Sequence, residues 1–155
     1  MKRWIWYLAG ALIIGALGKM PFSGTDVAKL QPVEVIRVWW ERGQAGIETD
    51  TGDSGKGVDI AAAIADLKAS AAGEVFLETA EHLIITREAL ALLPELAEYM
   101  RPACTICVED GETDMKAAAA FLDTHQPEMQ FRDFLAGSVK IPTLLTREER
   151  MHLVS

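Results

Sequence analysis

Cys104-Thr105-Ile106-Cys107 is the most reactive pairing in the sequence, a CxxC. A thioredoxin-type CxxC sets its first cysteine at a helix N-terminus, which lowers the thiol pKa. Here the surrounding residues 103–109 (ACTICVE) read as a strand. In a strand, side chains i and i+3 point to opposite faces roughly 10 Å apart, too far for a disulfide. No second CxxC completes a zinc site. The pair reads as buried structural cysteines. A thiol redox protein using Cys104 and Cys107 is the alternative.

Residues 51–57 (TGDSGKG) form a glycine-rich loop that invites a phosphate-binding reading. A P-loop requires Gly, four residues, then Gly-Lys-Ser/Thr, so that backbone N–H groups and the hydroxyl reach phosphate and Mg²⁺. Counted back from Gly55-Lys56, the required glycine falls on Asp50, and Gly57 stands where the hydroxyl is needed. Asp50, Asp53 and Asp59 would repel phosphate. The loop therefore reads as a flexible connection into a helix. No two of His82, His125 and His152 share an i, i+4 spacing, so no metal and no cofactor are expected. Glu78, Glu81 and Glu88 read as a solvated acidic face rather than an acid–base pair. No G-x-S-x-G elbow occurs. Trp39-Trp40 is the notable surface candidate. One ring should face the core and the other a partner, since paired aromatics concentrate binding energy.

The elements that position these residues alternate strand and helix. Residues 33–40 (VEVIRVWW) read as a strand with Val33, Val35 and Arg37 on one side and Glu34, Ile36 and Val38 on the other. A turn at 42–46 leads to a short return strand at 47–49. Asp59 caps a helix whose Ile60, Ala63, Ile64, Leu67 and Ala71 recur at helical spacing. Residues 75–79 fit either class. Residues 82–86 (HLIIT) read as a buried strand, and Thr86 as the cap of a short helix at 87–92. Pro94 opens another helix to about Met100. After the cysteine strand, Thr113 caps a helix at 114–122, and a weaker helix runs over 127–135. Pro142 marks 139–145 as an edge strand. The expected fold is α/β (α+β): a small mixed sheet over 33–145 with helices packed on it. A hydrophobic N-terminal helix (1–22) and a short tether (23–32) precede it, and a charged tail (146–155) follows.

Composition narrows the function. The chain has 155 residues, half of them hydrophobic, and a net charge of −8. Lys2, Arg3 and Lys19 are three of its 15 basic residues, so the remainder sets 12 basic against all 23 acidic residues, a net −11. Nucleic acid is therefore excluded as a partner. Two cysteines exclude a disulfide scaffold. Residues 4–18 (WIWYLAGALIIGALG) are uncharged and follow two basic residues. Extended to Phe22, with Lys19 snorkelling, the stretch is long enough to cross a membrane. The positive-inside rule sends the acidic body outward. A single-pass signal anchor is the preferred reading, against a signal peptide cleaved after Ala16-Leu17-Gly18 or a buried core helix.

From Thr51 onward the element order resembles a known family. Residues 54–67 (SGKGVDIAAAIADL) match its "G-x-G, hydrophobic, x-x-A-hydrophobic-x-x-L" opening, and 74–86 (EVFLETAEHLIIT) resemble its strand stretch. Residues 87–90 (REAL) stand for its "G-E-E-x-A". The chain over 33–123 is similar to the N-terminal domain of the spore germination receptor C-subunit family, of Ger(x)C type. The resemblance implies an extracytoplasmic, membrane-attached subunit of a nutrient receptor without enzymatic activity. Members are lipoproteins with further C-terminal domains. This chain has no acylation cysteine near the leader, which points to a reduced relative. The function expected is a non-enzymatic interaction domain. Its partners are the membrane, through the N-terminal helix, and other membrane or envelope proteins. A small-molecule (germinant) binding module is a further alternative.

Overall fold

A computed structural model describes residues 30–138, 140–147 and 150–154. The leader 1–22 and most of the tether lie outside the described residues. The described chain is a mixed α+β fold with one seven-stranded sheet. Its strands are β2 (Val35–Glu41), β3 (Gln44–Thr49), β4 (Ser54–Gly57), β6 (His82–Thr86), β7 (Thr105–Asp110), β8 (Thr143–Arg147) and β9 (Arg150–Val154). The order across the sheet is β4-β3-β2-β6-β7-β8-β9. β2, β6, β7 and β8 run parallel, and antiparallel hairpin partners close both sides. A separate parallel pair joins β1 (Leu30–Pro32) to β5 (Glu74–Phe76).

Both faces of the central strands are buried. The first face carries Ile36, Val38, Ile47, Leu83, Ile85, Ile106 and Val108. It is covered by helix α1 (Ile60–Ser70), by the 3₁₀ segment Arg87–Leu92 running into α2 (Leu93–Leu96), and by Phe131 of α4 (Phe131–Leu135). The second face carries Val35, Ile84, Cys107 and Leu144 beneath Met115, Ala118 and Leu122 of α3 (Met115–Thr124). Burial of this kind gives about 25 cal/mol per Å² of apolar surface.

Helix α1 forms as its sequence predicts. Asp59 Oδ1 accepts the Ala62 N–H at 2.7 Å, and Ile60, Ala63, Ile64 and Leu67 make the buried stripe. The glycine-rich segment before it differs from expectation. Ser54–Gly57 is not a flexible loop but the edge strand β4, paired with β3. Its glycines serve close packing: a Cβ at Gly55 would overlap the backbone of Ala63 and Leu67, and one at Gly57 would overlap that of Ala62 and Ala63.

Other expectations are corrected. Val33 lies with Ile36 on the first face, because a bend at Glu34 breaks the alternation before β2 begins. Thr86 precedes its 3₁₀ segment without donating or accepting a cap. Asp114, not Thr113, caps α3, accepting the Ala117 N–H at 2.8 Å. The helix expected over 127–135 is confined to Phe131–Leu135. β8 is an interior strand: Pro142 sits just ahead of it, and its carbonyl accepts the Val108 N–H. Residues expected to form a charged tail include β9, which pairs with β8 and supplies Met151 and Leu153 to the second-face cluster.

The α1–β4 contact sets a testable limit. Gly55→Ala forces a methyl against helix backbone, which cannot yield like a side chain. It is expected to lower stability by roughly 2 kcal/mol or more in urea unfolding, whereas Gly52→Ala, which meets nothing in space but stands at φ 92°, costs only the backbone strain of that conformation, about 1 kcal/mol.

Candidate functional site

Strand β2 sends alternate residues to opposite faces. Trp40 packs against the first-face core, while Arg37 and Trp39 stand on the second. The β2–β3 hairpin turns through Arg42 and Gly43, both with positive φ (53° and 79°), the geometry of a tight two-residue turn. This turn sets Gly46 opposite Trp39. The indole lies over Gly46, where a Cβ would collide with it.

Arg37, the third residue of β2, reaches across β6 on the second face to Glu109 near the C-terminal end of β7. Its Nε donates to Glu109 Oε2 at 2.8 Å, and its Nη1 is 3.7 Å from Glu48 Oε2. Its guanidinium carbon lies 5.6 Å from the centroid of the Trp39 ring, a cation–π contact. The Glu109 side chain is only 2% exposed. Glu109 is the register partner of Thr86 across β6–β7. Two buried oxygens here, Glu109 Oε1 and Thr86 Oγ1, have no hydrogen-bond partner among the described residues. Such atoms cost free energy unless a further group meets them.

An open cleft of about 460 Å³ sits at this rim, lined by Arg37, Trp39, Trp40, Glu41, Thr86 and Glu88. The carboxyl ends of parallel strands are where open α/β sheets bind ligands. A second cleft, of about 580 Å³, lies between the end of α3 and β9, with Phe121, His125, Met151 and His152 among its lining. His125 stacks on Phe121 with ring centroids 4.5 Å apart. No group of three metal-ligating side chains occurs among the described residues.

The other residues singled out in the sequence do not gather into a centre. Cys104 belongs to the first-face core and Cys107 to the second. Burial pushes both thiols up to about 12, so the reactive thiolate is strongly disfavoured. His82 is buried, and its Nδ1 is 2.6 Å from Thr105 Oγ1. Burial lowers its pKa and keeps the ring neutral. Glu81 pairs with Arg101 at 3.4 Å. Glu78 and Glu88 lie beyond opposite ends of β6, so the three glutamates share no site. Sequence reasoning found the two tryptophans but missed Glu48, Thr86 and Glu109. The available signal was Arg37, a cation set among alternating apolar residues of a strand, which demands a buried counter-charge. Comparison with family models, with curated proteins and with solved structures finds no match to this chain.

Removing Arg37 alone strands a buried carboxylate. Arg37→Met is expected to cost roughly 3 kcal/mol in urea unfolding, and Arg37→Met with Glu109→Leu should recover most of that loss. Both cysteines of the native protein should react with a maleimide at pH 8 far more slowly than in urea. A single fast thiol in the native protein would contradict their burial.

Proposed function

We propose that this chain is a non-catalytic interaction domain, held on the outer side of a cell membrane by residues 1–22. Its partners are other membrane or envelope proteins, and its role lies in spore germination or sporulation. The observation that carries the reading is the open cleft where Trp39 and Trp40 meet the carboxylates of Glu41 and Glu88. Large aromatic side chains at an exposed rim supply apolar contact area at low entropic cost, which suits a binding surface.

The sequence supplies the tether. Basic residues at 2 and 3 precede an uncharged run at 4–18, and the acidic body follows. Anchoring confines the domain to a surface and raises its effective concentration near membrane-bound partners. The resemblance of residues 33–123 to the germination receptor C-subunits supports the germination or sporulation role. In those proteins a lipid attaches the domain, and here the apolar leader takes that part. The competing redox reading is disfavoured by thiols buried on opposite faces, each raised to about 12.

The test compares the full chain with residues 23–155. The full chain should remain in the membrane pellet through an alkaline carbonate wash. Residues 23–155 should be soluble and unfold cooperatively. A shortened chain that fails to fold would place the leader in the core. A full chain released by carbonate would remove the anchor.

A further inference from the structure

The cleft at the C-terminal rim retains binding capacity that its own contacts leave unused. Of its six lining residues, two are carboxylates, two are indoles, one is a hydroxyl and one is a guanidinium. That guanidinium, Arg37, is already engaged by Glu109 and Glu48. Glu41 meets Arg42 at 3.3 Å, with both side chains largely in solvent. Glu88 has no cation within ion-pair distance among the described residues. Thr86 lines the cleft and its Oγ1 is buried without a partner; Oε1 of Glu109, its 98%-buried register partner behind the lining, has none either. The unused carboxylate oxygens are acceptors, and the Thr86 hydroxyl can accept as well as donate.

We propose that this cleft receives the ammonium of a lysine carried on an exposed segment of a partner protein, a refinement that rests on the interaction reading above. An anion would meet four carboxylates at or beside the cleft, Glu41, Glu48, Glu88 and Glu109, against Arg37 and Arg42. A cation is favoured by the same charges, and the net −8 of the chain steers it inward. The indoles add a face that attracts cations, and Trp39 already holds one in Arg37. A lysine ammonium brings three donors to acceptors in this patch. The cleft is too open to enclose a free amine. The main chain flanking the lysine supplies the remaining contact, over Trp40 and the strand ends.

The full chain in nanodiscs of zwitterionic lipid provides the assay. Trp39 and Trp40 are two of its four tryptophans, the others being Trp4 and Trp6 in the leader. Their emission is titrated with acetyl-Gly-Gly-Lys-Gly-Gly-amide, with the same peptide carrying acetyl-lysine, and with 1,4-diaminobutane. The lysine peptide should give a saturable change that salt weakens. Acetylation should weaken binding about tenfold or more, a change of about 1.4 kcal/mol. Glu41→Gln with Glu88→Gln should weaken it similarly, and these exposed sites leave the fold intact. Trp39→Phe should reduce the signal. Equal binding of the acetylated peptide, or no saturation, would overturn the proposal. Diaminobutane binding as tightly as the peptide would overturn the protein-borne lysine. Membrane retention and folding of residues 23–155 are measured separately, so a failed titration removes the lysine and leaves the tethered domain standing.

Discussion

The central strands β2, β6 and β7 must be covered on both faces, and among the described residues the cover on the second face is incomplete. The first face receives α1, the Arg87–Leu92 segment, α2 and Phe131. Among the described residues the second receives one helix, α3, of ten residues and so about 15 Å long. That helix seals Val35, Ile84 and Cys107. Farther along β2, the strand carries Arg37 and Trp39 instead of aliphatic residues. Where no helix of the described residues reaches, the sheet closes itself with an ion pair and an indole. A buried ion pair gives little net stability against an apolar replacement. Arg37 and Glu109 instead fix which side chains line the rim, since the pair spans from β2 to β7 across β6.

The β3–β4 hairpin makes this arrangement sterically feasible. Gly46 faces the second side and admits Trp39, while Gly55 and Gly57 face the first and admit α1. Glycine in a strand loses packing and backbone entropy. Here that cost is offset by bringing a helix and an indole to van der Waals distance from the same two-stranded ribbon. The ribbon's thinness on both sides links the core to the candidate site. An added methyl on one side would lift the helix, and on the other would tip the indole away from Arg37.

What was legible in the sequence was whatever rests on period and local chemistry. The Asp59 cap, the α1 stripe, the HLIIT strand and the opposed cysteines all follow from spacing alone. Contacts made at long range were not legible. Ser54–Gly57 looks like a loop until α1 is seen to need its glycines. β9 looks like a charged tail because a strand with one face on the α3 cluster and the other in solvent tolerates Arg150 and His152. Glu109 looks like a surface acid because its partner lies 72 residues earlier in the chain. The Arg37–Glu109 pair is a product of topology, as is the meeting of Trp39 with Thr86 at one rim.

That topology also bears on how the domain would present itself. The described chain enters through β1 beside β5, and β2 begins directly after it. The cleft is lined by Arg37, Trp39, Trp40 and Glu41 of β2, toward the other end of the strand. The described chain therefore joins the sheet at the end of β2 opposite Glu41. The polarity of the parallel strands separates two features: the N-terminal end of β2 takes the incoming described chain, and the C-terminal ends of β2 and β6 gather aromatic and acidic side chains. A reversed β2 would place Trp39 and Trp40 beside the point where the described chain enters the sheet.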